Sequence, residues 1–94
     1  MPCYCDILRC ADERYYVGAT AELGRRLAAH QAGRVPSTRL RRPVRLVYYE
    51  FCPTPAAAYQ RERALKNGRT RKATREQRIQ TFPATRLVPF EATP

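Results

Sequence analysis

Hydrophobic and polar positions alternate from the start of the chain. Cys3, Cys5 and Ile7 fall on one side and Tyr4, Asp6 and Leu8 on the other, which predicts a strand over Cys3–Arg9. Ala11-Asp12-Glu13-Arg14 is polar and turn-like, and Tyr15–Ala19 reads as a second strand, so the pair predicts a hairpin with a longer loop. The period then changes. Leu23 and Leu27 make a narrow apolar stripe at helical spacing, with Thr20 as the N-cap and Glu22 near the positive end of the helix. That helix is predicted to run to about Ala32, with Gly33 as its stop, and Gly24 weakens it by about 1 kcal/mol relative to Ala. Val44–Phe51 is the strongest strand signal, rich in Leu46, Val47, Tyr48, Tyr49 and Phe51. Pro53-Thr54-Pro55 breaks it. Thr54 suits an N-cap and Pro55 a first helical residue, so a second helix is predicted over Pro55–Lys66, ended by Asn67-Gly68. Arg69–Arg78 reads as a third, short helical segment.

The predicted order is strand, strand, helix, strand, helix, helix, with no internal repeat. At 94 residues this is one small domain with a modest core. Residues 1–80 hold the domain. Residues 81–94 read as an extended tail, proline-rich from Pro83 on, with Leu87, Val88 and Phe90 docking on the core.

Charge adds a partner. Eighteen basic residues stand against eight acidic ones, a formal net charge of +10, and sixteen of the eighteen are Arg. A GC-rich coding sequence explains Arg over Lys but not the shortage of acids. Nucleic acid or another polyanion is the expected partner. No apolar run approaches the roughly 20 residues of a membrane span. Met1-Pro2-Cys3-Tyr4-Cys5-Asp6 does not resemble a signal peptide, so a cytoplasmic protein with reduced cysteines is expected.

The candidate chemistry gathers where the second strand delivers the chain into the first helix. Tyr16 closes the strand beside Gly18, and Arg26 and His30, four apart, share one helical face. An arginine fork donates two bonds to a phosphate and stabilises charge developing on it. Histidine exchanges a proton near neutral pH. A phenol has an ordinary pKa of about 10, so Tyr16 acts as a base only beside a cation. The competing reading is an ordinary strand tyrosine and the exposed face of a basic helix. Glu62 shares the apolar face of the second helix with Ala58 and Leu65. A buried carboxylate needs a partner. One such group can hold a divalent ion, with water and substrate phosphate completing the coordination. A salt bridge to one of the many arginines is the alternative. Arg34, Arg39, Arg41 and Arg42 form one basic cluster, and Lys66, Arg69, Arg71 and Lys72 a second. Such residues bind phosphates without reading sequence, unless they are simply solvated charge. Cys3, Cys5, Cys10 and Cys52 lack the paired spacing of a zinc site and read as small core residues. No Gly-rich phosphate loop is present, so no nucleotide cofactor is expected.

Together these residues resemble the GIY-YIG nuclease superfamily, and within it the small single-domain bacterial group. The resemblance covers roughly residues 4–78. It rests on Tyr4-Cys5-Asp6-Ile7-Leu8-Arg9-Cys10, Tyr16-Val17-Gly18, Leu23-Gly24-Arg25-Arg26-Leu27-Ala28-Ala29-His30, Arg41-Arg42-Pro43-Val44-Arg45-Leu46-Val47-Tyr48 and Arg61-Glu62-Arg63-Ala64-Leu65-Lys66, in that order. It implies an α/β (α+β) fold with a three-stranded antiparallel sheet flanked by helices. It implies phosphodiester hydrolysis with one divalent ion, Mg²⁺ or Mn²⁺. Tyr16 would be the base or would orient the attacking water, Arg26 would bind the scissile phosphate, His30 would assist proton transfer and Glu62 would hold the metal. One position departs: where the family's first motif has a tyrosine, this chain has Asp6. Asp6 either joins Glu62 as a second metal ligand or pairs with Arg26 and blunts the site.

The reading that follows is a metal-dependent endonuclease acting on DNA, with RNA as a second substrate class and DNA repair or recombination as its setting. A nucleic-acid-binding module of the same fold, weakened in cleavage by Asp6, is the alternative. A basic face that meets an acidic protein is a third.

Overall fold

The computed structural model describes residues 3–66 and 76–82. Three antiparallel strands form one sheet in the order β2-β1-β3, where β1 is Cys3–Arg9, β2 Tyr15–Thr20 and β3 Arg45–Cys52. Helix α1, Leu23–Gln31, follows β2, and α2, Pro55–Lys66, follows β3. The central strand pairs Asp6 with Gly18 on one side and with Tyr49 on the other.

Strand alternation sorts the core into two layers. Cys3, Cys5 and Ile7 of β1 face α2 and pack with Val17, Tyr48, Cys52, Ala58 and Leu65. Leu8 faces the other way, with Cys10, Leu23, Leu27, Val44 and Leu46, and the rings of Tyr4, Tyr16 and Tyr49 border this layer. Tyr15 and Tyr16 therefore lie against opposite layers, as the period of two requires. All four cysteines are buried, consistent with their reading as small core residues.

The element bounds shift where side chains take backbone bonds. Strand β3 starts at Arg45 and not at Val44, because the Gln31 side chain accepts from the Val44 N–H (3.4 Å) and donates to its carbonyl. It extends one residue further, to Cys52 opposite Cys3. A bulge lies between Ile7/Tyr48 and Leu8/Leu46, so Val47 and Tyr48 both serve the α2 layer. Helix α1 starts at Leu23 with Glu22 as its N-cap, not Thr20: the Thr20 hydroxyl accepts the Glu22 N–H (3.1 Å), one turn-forming bond earlier. Gly33, at φ +77°, ends it as expected. Thr54 caps α2 through the Ala57 N–H (3.1 Å).

The third helical segment, predicted to end at Arg78, runs on to residue 81. Residues 76–81 are helical, so Thr81 belongs to a helix and not to a tail, and Phe82 packs 5.2 Å from both Tyr48 and Tyr49. The rest of the predicted third helix, up to residue 75, and Leu87, Val88 and Phe90 lie outside the described residues.

Candidate active site

The α1 layer carries polar groups inside its apolar rim. Asp6 and His30 are both 0% exposed. Asp6 points to this side because it alternates with Cys5 and Ile7, and Arg26 reaches it from the first turns of α1. Arg26 Nε donates to Asp6 Oδ2 (2.7 Å) and Nη2 to Oδ1 (3.1 Å). The guanidinium crosses directly over Gly18, the residue opposite Asp6. A Cβ built on Gly18 would lie 2.6 Å from Arg26 Cζ, so only glycine leaves this passage open.

Asp6 pairs with Arg26 through both of its oxygens. The bond uses the side edge of the guanidinium, and among the described residues Nη1 has no hydrogen-bond partner. Arg26 also borders a shallow surface depression with Thr20, Ala21, Glu22, Arg25 and Ala29. Asp6 thus fixes the guanidinium flat over Gly18 through its Nε–Nη2 edge. Burial pushes the Asp6 carboxyl up from 3.8 to about 6, even though the Arg26 bonds and charge pull it down; Glu62 also raises it.

Tyr16 joins this pair. Arg26 Cζ lies 5.5 Å from the centre of its ring, and the His30 imidazole meets the ring edge-on at 5.3 Å. His30 is not on an exposed helical face. Its Nδ1 lies 2.7 Å from the Thr38 hydroxyl, and burial, helped by the Arg26 charge, drops its pKa from 6.5 to about 4. At neutral pH it is a neutral imidazole and not an imidazolium acid.

Glu62 arrives from the opposite layer. Its side chain is 20% exposed and stands 3.6 Å from Lys66, the salt bridge offered as the alternative, though to a lysine and not to an arginine. Its charge reaches the α1 side of the sheet at Asp6 and the α2 side at Cys5. A carboxylate with one long ion pair keeps lone pairs for a hard cation, which suits Mg²⁺ or Mn²⁺ held by one protein ligand and water. Among the described residues no group of three or more His, Cys, Asp or Glu could hold a metal, so a richer protein cage is not on offer there.

The basic loop is bound into the protein more than its sequence suggests. Arg41 pairs with Asp12 (Nε to Oδ2, 2.8 Å), and its carbonyl accepts the Ala11 N–H (2.8 Å). Arg42 donates to the carbonyls of Arg39 (2.9 Å) and Gln31 (3.3 Å), lying over Gly33. Arg34 and Arg39 are exposed, as is Lys66. Arg69, Arg71 and Lys72 lie outside the described residues. Sequence reasoning missed Thr38, a fully buried partner of the histidine in a loop that reads as polar. It also missed the use of Gly18 as a passage, for which the adjacent Tyr16-Val17-Gly18 pattern was the available signal.

The chain matches the model of the GIY-YIG catalytic domain over residues 2–80. The chain belongs to the GIY-YIG family. That membership implies a nuclease-type fold with DNA as the substrate to be bound. The chain is 44% identical over 69 residues to the UPF0213 protein SpyM50708 of Streptococcus pyogenes serotype M5, covering 72% of this chain and 75% of that protein. The UPF0213 protein SpyM3_1077 of Streptococcus pyogenes serotype M3 is 42% identical over the same coverage. The solution NMR structure of the UPF0213 protein BH0048 from Bacillus halodurans matches this GIY-YIG chain with a TM-score of 0.56 and 30% identity, over 99% of this chain and 100% of that one. No helix among the described residues is long and apolar enough to cross a membrane.

Proposed function

We propose that this chain is a metal-dependent endonuclease that hydrolyses phosphodiester bonds of DNA. The observation that carries this reading is the Arg26 guanidinium, held over Gly18 by Asp6 with Nη1 unpartnered among the described residues and Tyr16 beneath it. A planar fork fixed in one orientation is suited to a phosphate and to the charge that grows on it during attack. Tyr16 orients the attacking water beside Arg26, and only as a phenolate, its own proton first given up to solvent, does its oxygen take the proton released as the new P–O bond forms. The neutral imidazole of His30 offers a hydrogen bond and no positive charge. Glu62 would hold one divalent cation, which supplies charge stabilisation at the departing oxygen when bound.

The engagement of Arg26 by Asp6 favours a second reading, a nucleic-acid-binding module with weak cleavage. One experiment separates the two: incubation of labelled duplex, flap, junction and single-stranded DNA, and the RNA equivalents, with Mg²⁺ or Mn²⁺. The nuclease reading expects metal-dependent cleavage by the wild type that disappears in Glu62→Ala. A wild type that binds nucleic acid in a salt-dependent way and cleaves only as Asp6→Tyr establishes the binding module instead.

A further inference from the structure

The sheet face that carries Asp6 is crossed by rows of facing residues. Gly18, Asp6 and Tyr49 form one row, and Thr20, Tyr4 and Phe51 form the next. Leu23 and Leu27 of α1 pack over the other end of this face, with Leu8 and Leu46. In the Thr20 row Phe51 is 59% exposed and Tyr4 half-buried. The Tyr4 ring meets Phe51 edge-on at 6.0 Å and Tyr49 at the same distance. Tyr49 in turn packs on Phe82. The rings hold one another in place, and Phe51 is the one that shows most of its surface.

This row leads to the arginines. Thr20, the cross-strand neighbour of Tyr4, lines the depression that Arg25 and Arg26 also border. The Arg25 side chain is 85% exposed. Gly18, beneath the Arg26 guanidinium, lies two strands and two residues from Phe51, roughly 12 Å on a regular sheet. One or two nucleotides span that distance from phosphate to base. A single exposed apolar side chain is ordinary on a protein surface. One joined by ring contacts and a shared row to two guanidinium groups suits a ligand that is aromatic at one end and anionic at the other. A second copy of this chain fits badly, because its formal net charge of +10 would meet the same charge here.

We propose that Phe51, supported edge-on by Tyr4, is a stacking platform for an unpaired base of the nucleic acid whose phosphate Arg26 binds. The proposal rests on the nuclease reading for that phosphate and names the substrate class: a strand with at least one base outside its duplex. Inside a duplex the faces of each base are taken by its neighbours, so the platform selects single strands, flaps and bulges. Every base has a π-face, so stacking adds affinity for unpaired nucleotides with little preference for sequence.

The test is binding by the full chain without divalent metal, comparing labelled oligothymidylate with an abasic oligomer of the same length and charge. Wild type should bind the thymidylate about tenfold more tightly than the abasic strand, and Phe51→Ala and Phe51→Leu should lose that preference. The chain has no tryptophan, so Phe51→Trp introduces a single reporter. Its emission should be quenched by oligothymidylate and not by the abasic strand. Equal binding of the two strands by the wild type overturns the inference, and so does a preference that survives in folded Phe51→Ala. If Phe51→Ala does not fold, the quenching of Phe51→Trp decides. Self-association that falls in Phe51→Ala, with no base preference in the wild type, makes Phe51 a contact between copies and also overturns it. Cleavage in Mg²⁺ or Mn²⁺ is scored separately. A base preference without cleavage removes the nuclease reading and leaves the platform standing, and cleavage without a base preference does the reverse.

Discussion

Two arginine–carboxylate pairs stand on opposite sides of one sheet, and they do different work. On the α2 side Arg61 holds Glu50 (Nε to Oε1, 2.5 Å), which also accepts from the Tyr48 hydroxyl and lies 4.0 Å from Arg78. These bonds join β3, α2 and the helix at 76–81, and burial is outweighed, so Glu50 stays below the ordinary carboxylate range. On the α1 side Arg26 holds Asp6, yet burial wins and the carboxyl rises to about 6. The first pair is satisfied from several directions and ties elements together. The second is a one-to-one pair in a drier place, beside a tyrosine, a neutral histidine and a surface depression. The same chemical pairing thus fastens the fold in one layer and aims a single guanidinium in the other.

The largest effect that sharpens this contrast should come from Gly18. In Gly18→Ala the new methyl group displaces the Arg26 head group, which is the far end of a flexible side chain, so the fold should survive while the fork loses its place. Cleavage is expected to fall about 100-fold or more, since a misplacement of about 1 Å can do this much. Unfolding in urea should show a far smaller proportional change.

Acidification should separate the layers next. Asp6 is an acid raised from 3.8 to about 6, so the fold favours its protonated form, and its contribution to stability grows as pH falls from about 6 towards 4. His30 is a base lowered from 6.5 to about 4, so the fold resists protonation, and its contribution is lost as pH falls through the same window. The two oppose each other, each by about 2–3 kcal/mol. Asp6→Asn should therefore lose stability between pH 6.5 and 4, and His30→Gln should gain it, relative to a flatter wild type in urea unfolding. Asp12 and Glu50, both held below their ordinary values, lose their contributions only at lower pH. Equal slopes in all three proteins would break the assignment of this window to the α1 layer.

The smallest effect should come from the other glycine near Arg26. Gly24 lies in α1, and a Cβ there meets nothing within 4 Å. Gly24→Ala should stabilise the chain by about 0.5–1 kcal/mol in urea unfolding and leave cleavage unchanged.

Much of the fold was legible because its signals are local. Alternation in Cys3–Arg9, the Leu23/Leu27 stripe, Gly33 and the Thr54-Pro55 start each specify their element within a few residues. The bulge at Val47 was not legible, because it depends on how β3 meets its neighbour. The start of β3 was missed for a similar reason: a glutamine thirteen residues away takes the bonds of Val44. At the candidate site, spacing placed Arg26 and His30 together and strand order placed Tyr16. The burial of His30 was not visible, because Thr38 supplies its partner from a loop of polar and basic residues. The pairing of Asp6 with Arg26 was one of two roles open from the sequence, and the passage over Gly18 that lets the guanidinium reach it depends on tertiary packing.

The most direct test of the contrast is cleavage per folded molecule by Arg26→Ala and Arg61→Ala, measured side by side with wild type in Mg²⁺ or Mn²⁺. The account expects wild-type cleavage, near-complete loss in Arg26→Ala, and retained cleavage in Arg61→Ala despite lower stability. Cleavage that survives in Arg26→Ala, or that vanishes in fully folded Arg61→Ala, would contradict it.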